Sequence, residues 1–316
     1  MKNIFSQLSS IFTRYNFFSA KYLCNPETSA NRFSKALNEA REYYKEHQHV
    51  KIAPELIHES WSQNIAALES YFANQMNENF ISNEVVNGTM VFTNRKAHKR
   101  ELKNISDAFD KNVVEEIISK NLNAAFLSGK SRRSTLINSA HHLHHLMRFE
   151  QRTGRKFKAI QSVVEFGGGY GNMARVVDNF GTCKTYSIVD LLLFSCIQYV
   201  FLSTAAGNDR VAFNDGDSKV NTRFHLHPLF RTDSPTNLRG ELFLSTWALS
   251  ESTRATYEWV ISCDWFGATS LLLAYNEHWQ PWHENELEES LASNGWLIIK
   301  EAIPFLPGSY YLFATR

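Results

Sequence analysis

Cysteine is scarce and unpatterned. Cys24, Cys183, Cys196 and Cys263 stand far apart, with neither a disulfide-type nor a metal-type spacing, so a reducing cytoplasm is the expected compartment. Charge of one sign is missing too: 33 Lys and Arg oppose 32 Asp and Glu, a net charge of +1, which argues against broad electrostatic binding of nucleic acid. No apolar run resembles a membrane span or a signal-peptide core; residues 1–23 come nearest, but Lys2, Arg14 and Lys21 interrupt their Phe, Ile and Tyr. That segment reads as a packing helix or a frayed end, with a membrane-surface amphipathic helix, and hence peripheral membrane contact, as the alternative. There is no internal repeat and no low-complexity stretch. What is present, 43% hydrophobic and 21% charged residues over 316 positions, suits a globular α/β domain of ordinary size with a helical extension.

Residues 162–177, SVVEFGGGYGNMARVV, organise the rest. Val163, Val164 and Phe166 form a short β-branched and aromatic run that stops at three glycines, the mark of a buried strand. Met173, Val176, Val177 and Phe180 then share one face at helical spacing. Between strand and helix lie Gly167, Gly168, Gly169, Tyr170 and Gly171, where missing β-carbons allow positive φ and close approach of a ligand. A dinucleotide fingerprint would need a third glycine where Asn172 stands, and a Walker loop would need a Lys-Ser/Thr that does not follow.

The α/β alternation continues downstream. Residues 184–189 read as a second strand ending at Asp190, whose carboxylate can accept from both hydroxyls of a ribose diol; a helix cap is the plainer alternative. A strongly apolar helix follows from Leu191 to residue 206. Residues 211–213 form a short third strand, and 222–235, with His225 and His227, an irregular loop or edge piece. Further strands are expected at 241–246, 270–275, from Gly295-Trp296 and at 309–314. Residues 26–158 read as mainly helical, with apolar stripes at Trp61, Ile65, Leu68 and Phe72 and at Val113, Val114, Ile117, Ile118 and Leu122. Asn87-Gly88 signals a hairpin or flap between 81–86 and 89–93. The basic run 95–100 reads as a solvated face, or more sharply as a contact for an anionic substrate. His141, His142, His144 and His145 crowd one helix, yet imidazoles alone at these spacings make no recognised metal site, so no metal is expected.

The pattern Glu165, Gly167, Gly169, Gly171 resembles motif I of the class I S-adenosylmethionine-dependent methyltransferases. With HHLHHLMRFEQRTG before it, and YSIVDL, WALSES and IPFLPGSYYLFATR after it, the chain from about residue 130 onward looks like the sugar O-methyltransferases of bacterial polysaccharide and glycan clusters. The resemblance implies a Rossmann-like class I methyltransferase fold, a mostly parallel seven-stranded sheet with helices on both faces, over 131–316. A mainly helical region, 1–130, would cap the site, bind substrate or form a homodimer. It implies S-adenosyl-L-methionine as cofactor, held by Glu165, Gly167, Gly168, Gly169, Gly171, Asn172, Asp190, Leu191, Asp215 and Trp247. In that family the glycines pass under the methionine part of the cofactor, the first acid lies near its cationic end, and Asn214 or Asp215 would reach the adenine.

The expected reaction is methyl transfer to a hydroxyl of a sugar, nucleotide sugar or glycan precursor. A base must take the hydroxyl proton, and histidine suits that near neutral pH. His278 is the first choice because it follows the fifth strand at the carboxyl edge, where open α/β sheets bind ligands; Glu251 and His145 are the reserves. Trp247, Trp265, Trp279 and Trp282 are candidates for stacking on a sugar, although at least two should be core. The alternatives are a methyltransferase for another small polar acceptor, such as an amine or phosphate-linked group, and a cofactor-binding scaffold without turnover.

Overall fold

Side-chain caps punctuate the N-terminal half of the protein. The computed structural model describes residues 25–50, 54–92, 94–122, 129–214, 222–229 and 237–316. Asn25 opens α1 (Pro26–His47) by accepting from the N–H groups of Glu27 and Thr28, with Pro26 in the first turn, where an N–H would have no helical partner. After α2 (Ser62–Asn74), α3 (Glu84–Thr89), α4 (Arg95–Ala108) and α5 (Lys111–Ser119) are capped in the same way by Asn83, Asn94 and Asp110. The long α6 (Gly129–Thr153) leads into the sheet.

The hairpin expected around Asn87-Gly88 does not form. Asn83 accepts from the N–H groups of Val85 and Val86 and starts a helix instead. Asn87 lies inside that helix and donates to Ser134 Oγ at 2.6 Å, so a tertiary contact outweighs the local turn propensity; Thr93 is outside the described residues. The basic run is amphipathic rather than wholly solvated. Lys96, Lys99 and Arg100 face solvent, while Ala97, His98, Glu101, Leu102 and Ile105 are buried.

The described residues contribute eight strands to one sheet: β1 (Ser162–Phe166), β2 (Thr185–Asp190), β3 (Val211–Phe213), β4 (Phe224–Pro228), β5 (Leu242–Thr246), β6 (Ser270–Asn276), β7 (Leu297–Ala302) and β8 (Ser309–Thr315). Their order is β3-β4-β2-β1-β5-β6-β8-β7, and every pairing is parallel except those of β8 with β6 and β7. The sheet is mostly parallel and closes on an antiparallel hairpin, as expected from the sequence, but it has eight strands rather than seven.

The extra strand corrects two expectations. Residues 224–228, expected within an irregular loop or edge piece, are an interior strand seated between β2 and the short β3. Polar His225 and His227 had masked it, although the latter is buried. In consequence Val211–Phe213 is the outer edge, and Asn214, expected near adenine, lies one strand too far out; Asp215 is outside the described residues, as is the segment 1–24.

Side chains alternate between two cores, as the two-residue period of a strand requires. Val163, Leu242, Leu244, Leu272, Tyr311 and Phe313 join one core with the N-terminal helices, α6, α7 (Asn172–Asn179) and α8 (Leu192–Ala206). Val164, Phe166, Phe243, Leu271, Leu273 and Leu312 join the other with α9 (Arg254–Ser262) and α10 (Glu286–Ser293). The N-terminal helices thus share a core with one face of the sheet.

Candidate active site

The glycine turn leaves β1 and enters α7. Gly167 has φ +74°, and a β-carbon there would lie 2.0 Å from Ala248 Cβ, so only glycine lets the turn pass the segment after β5. Its N–H donates to Val189 O at 2.9 Å, and Gly171, φ +95°, opens α7.

Two buried carboxylates flank the turn. Glu165 accepts from the Tyr186 hydroxyl at 2.9 Å, and burial pushes it up to about 8 against that hydrogen bond. Asp190 accepts from the N–H of Leu191 at 2.8 Å and from Gln198 Nε2 at 2.7 Å, while burial pushes it up to about 7. Gln198 also donates to Gly169 O at 3.0 Å, clamping the β2 acid to the glycine turn. Both groups are therefore set to gain from a ligand that favours the ionised form.

A cavity of about 480 Å³ opens over this turn. Its floor is Glu165, Gly167, Gly168, Gly169, Asp190 and Leu191. The segment after β5 supplies Trp247, Ala248 and Glu251, and the end of β6 supplies Asn276 and Trp279. The roof comes from the N-terminal region, with Leu56, Trp61, Met90 and Phe92, and from α6, with His141 and His142. Trp247 adopts φ +74°, strained for a non-glycine residue, and its N–H donates to Ala274 O at 2.6 Å. The indole lies parallel to the His141 ring at 6.3 Å, and Phe92 stacks on that ring at 4.0 Å.

Three of the four α6 histidines belong to one directional chain. His141 Nδ1 is 2.7 Å from Glu101 Oε1, its Nε2 is 3.0 Å from His145 Nε2, and His145 Nδ1 is 2.8 Å from the Tyr311 hydroxyl. That hydroxyl is 3.3 Å from His144 Nδ1, and Asn104 Nδ2 closes the line at 3.2 Å from His144 Nε2. Asn104 can only donate through Nδ2, so each group passes a hydrogen bond on: Asn104 to His144, to Tyr311, to His145, to His141, to Glu101. The order requires neutral imidazoles, and burial does hold His145 well below its ordinary value and brings His144 down to about 4. Burial would raise Glu101, but His141 and His98 outweigh it and keep the carboxyl well below its ordinary range. The side chains run in a line rather than converge, and among the described residues no group of three or more potential ligands is placed to hold a metal ion.

Of the expected cofactor residues, Glu165, Gly167, Gly168, Gly169, Asn172, Asp190, Leu191 and Trp247 line the cavity, while Gly171 caps the helix beneath. Glu251 lines it as well. Its side chain has no hydrogen-bond or ion-pair partner among the described residues, and burial raises its pKa. His278 does not reach the cavity: its side chain is 74% exposed, beside Glu277 and Gly308. His145 is sealed inside the histidine chain with both ring nitrogens engaged. Trp265 and Trp282 are core, whereas Trp247 and Trp279 border the cavity. The N-terminal roof residues carry no sequence signal of a site, and His142 stands out only as one of four histidines crowding one helix. Nothing local marks them, because α6 and the sheet meet only in the folded chain.

No protein-family model and no curated protein matches this chain. Among solved structures it is similar to the methyltransferase domain of bacterial CtHen1 at 10% identity, over 54% of this chain and 97% of that one, with a TM-score of 0.38. It is also similar to an O-methyltransferase family protein from Burkholderia thailandensis at 12% identity, over 70% and 71%, with a TM-score of 0.38. A third is M. capricolum TrmK in complex with S-adenosyl-homocysteine, at 10% identity over 54% and 67%, with a TM-score of 0.36.

Proposed function

We propose that the chain is an S-adenosylmethionine-dependent O-methyltransferase whose acceptor is a hydroxyl of a sugar or glycan precursor. One observation carries the reading: a single cavity joins a glycine turn flanked by two buried carboxylates with an unpartnered carboxylate and, at its rim, an exposed indole. Its volume of about 480 Å³ lies in the range of small-molecule sites.

Asp190, fixed by Gln198 and the Leu191 N–H, offers its oxygens to a ribose diol at the end of β2. Glu165 sits where a cationic amino-acid end would approach the turn, and a positive charge there favours the ionised carboxylate in a partly dry cleft. Trp247 and Ala248 close the far side of the turn. The bound cofactor supplies an activated methyl carbon. What the protein adds is alignment, exclusion of water and removal of the acceptor's proton.

Glu251 is the proposed base. It faces the cavity unpaired, and its raised pKa brings it nearer to neutrality, where a carboxylate accepts a proton most effectively. Trp279, 64% exposed at the rim, presents a flat apolar face to a sugar ring, with the Asn276 amide next to it for a hydroxyl. His278 and His145 are withdrawn as bases on the geometry given above.

The test is incubation with methyl-labelled S-adenosylmethionine and a panel of nucleotide sugars and glycan precursors. Label in a sugar ether supports the reading. Label only in an amine or phosphate-linked acceptor moves the substrate class, and cofactor binding with no transfer to any acceptor leaves a scaffold.

A further inference from the structure

His142 on α6 faces the cavity from above the glycine turn, and its chemistry follows from its neighbours. Its Nδ1 is 3.1 Å from Asn172 Nδ2. The orientation of that amide is decided by Arg175, a residue that can only donate, whose Nε–H goes to Asn172 Oδ1 at 3.1 Å. Asn172 therefore turns its NH₂ toward His142 and donates to Nδ1. Arg175 is itself fixed, buried to 1% exposure and donating to Ser139 Oγ and to Lys120 O, each at 2.7 Å. Burial above all, with the charge of Arg175 adding to it, holds His142 well below the ordinary imidazole range, so the ring is neutral near pH 7.

A neutral imidazole that accepts at Nδ1 carries its proton on Nε2. Nε2 has no protein partner among the described residues, and the ring lines the cavity, so His142 offers the cavity one fixed N–H donor. It is unsuited to be a base. The best partner for such a donor is an ionised oxygen, since charge-assisted hydrogen bonds are the strong ones. Glu165, an acceptor suited to a cation, lines the same cavity. A fixed donor and an acid lining one cavity over the glycine turn match the two charges of an amino-acid zwitterion.

We propose that His142 Nε2–H binds the carboxylate of the cofactor's amino-acid end, through the Arg175–Asn172–His142 relay that fixes its tautomer. This rests on the S-adenosylmethionine reading above, and it identifies a specificity contact that distinguishes the amino-acid tail from a bare amine. The step is binding only; no proton or bond changes place.

The test is calorimetric binding of S-adenosylmethionine and of its decarboxylated form, which keeps the sulfonium and amine but lacks the carboxylate. His142→Phe keeps a ring of similar size without the donor, and His142→Gln restores an N–H. The wild type should bind the intact cofactor about ten- to a hundredfold more tightly than the decarboxylated one, the range of a hydrogen bond to a charged group. His142→Phe should lose that preference while binding the decarboxylated form as the wild type does, and His142→Gln should recover part of it. Equal weakening toward both ligands, or no weakening in either variant, overturns the proposal. If the wild type binds neither compound, the cofactor reading itself fails, whatever His142 does.

Discussion

Replacing Glu165 by Gln keeps the side-chain shape and removes the one acid placed to meet a cation. In the ligand-free protein burial pushes this carboxyl up to about 8, so at pH 7 it carries about 0.9 of a proton. A cationic amino-acid end favours the ionised form, so binding must expel that proton. Asp190, pushed up to about 7, adds up to about 0.5 more when the ribose hydroxyls engage it. Ionising Glu165 at pH 7 costs about 1.4 kcal/mol of the binding energy, and through this group alone affinity should rise up to tenfold per pH unit from pH 6 toward 8. Titration calorimetry with S-adenosyl-homocysteine in buffers of different ionisation enthalpy counts the released protons directly. The wild type should release about one proton or more at pH 7; Glu165→Gln should release about 0.5 and lose most of the pH slope. Its affinity at pH 8 should fall about ten- to a hundredfold, the worth of a charge-assisted hydrogen bond. Proton release unchanged in the variant, or absent in the wild type, would refute the assignment.

Four further outcomes follow from the same geometry. Glu251→Gln should lower kcat about 10²- to 10⁴-fold with cofactor affinity unchanged, while His278→Ala, exposed and outside the cavity, should leave kcat within twofold. Tyr311→Phe removes the hydroxyl between His145 and His144 and leaves buried nitrogens unpaired, so it should cost about 1–3 kcal/mol in chemical denaturation and lower turnover only through the position of α6. The ligand-free protein should lose stability as pH rises. Glu165 has a folded pKa above its unfolded value, so its contribution is fully present below about pH 4.5 and is lost as pH climbs through about 8. The span is at most about 5 kcal/mol, read as a falling melting temperature between pH 6 and 9 that Glu165→Gln flattens.

The parts of the fold that were legible were those whose signal is local. Val163 to Gly171 announces strand and turn by its own composition, and Asp190 terminates an apolar run that can only be a buried strand. The strand at Phe224–Pro228 was hidden because His225 and His227 break the apolar pattern, and its burial comes from β2 and β3 on either side. Asn87-Gly88 carries a strong hairpin signal that Asn83 capping and the Ser134 contact override. His278 was chosen for its place after β6, a topological argument that cannot say which way a loop residue points. The histidine run was visible as composition, but its meaning depends on Glu101, Asn172 and Tyr311, which lie 30 to 170 residues away and meet it only through the packing of α6.

The most direct measurement is a crystal structure of the complex with S-adenosyl-homocysteine. The ribose should lie on Asp190, the amino-acid tail over Gly167–Gly169 between Glu165 and His142, and the sulfur should face the Glu251 side of the cavity. A ligand bound elsewhere, or a cavity still filled only by solvent at saturating concentration, would contradict that placement.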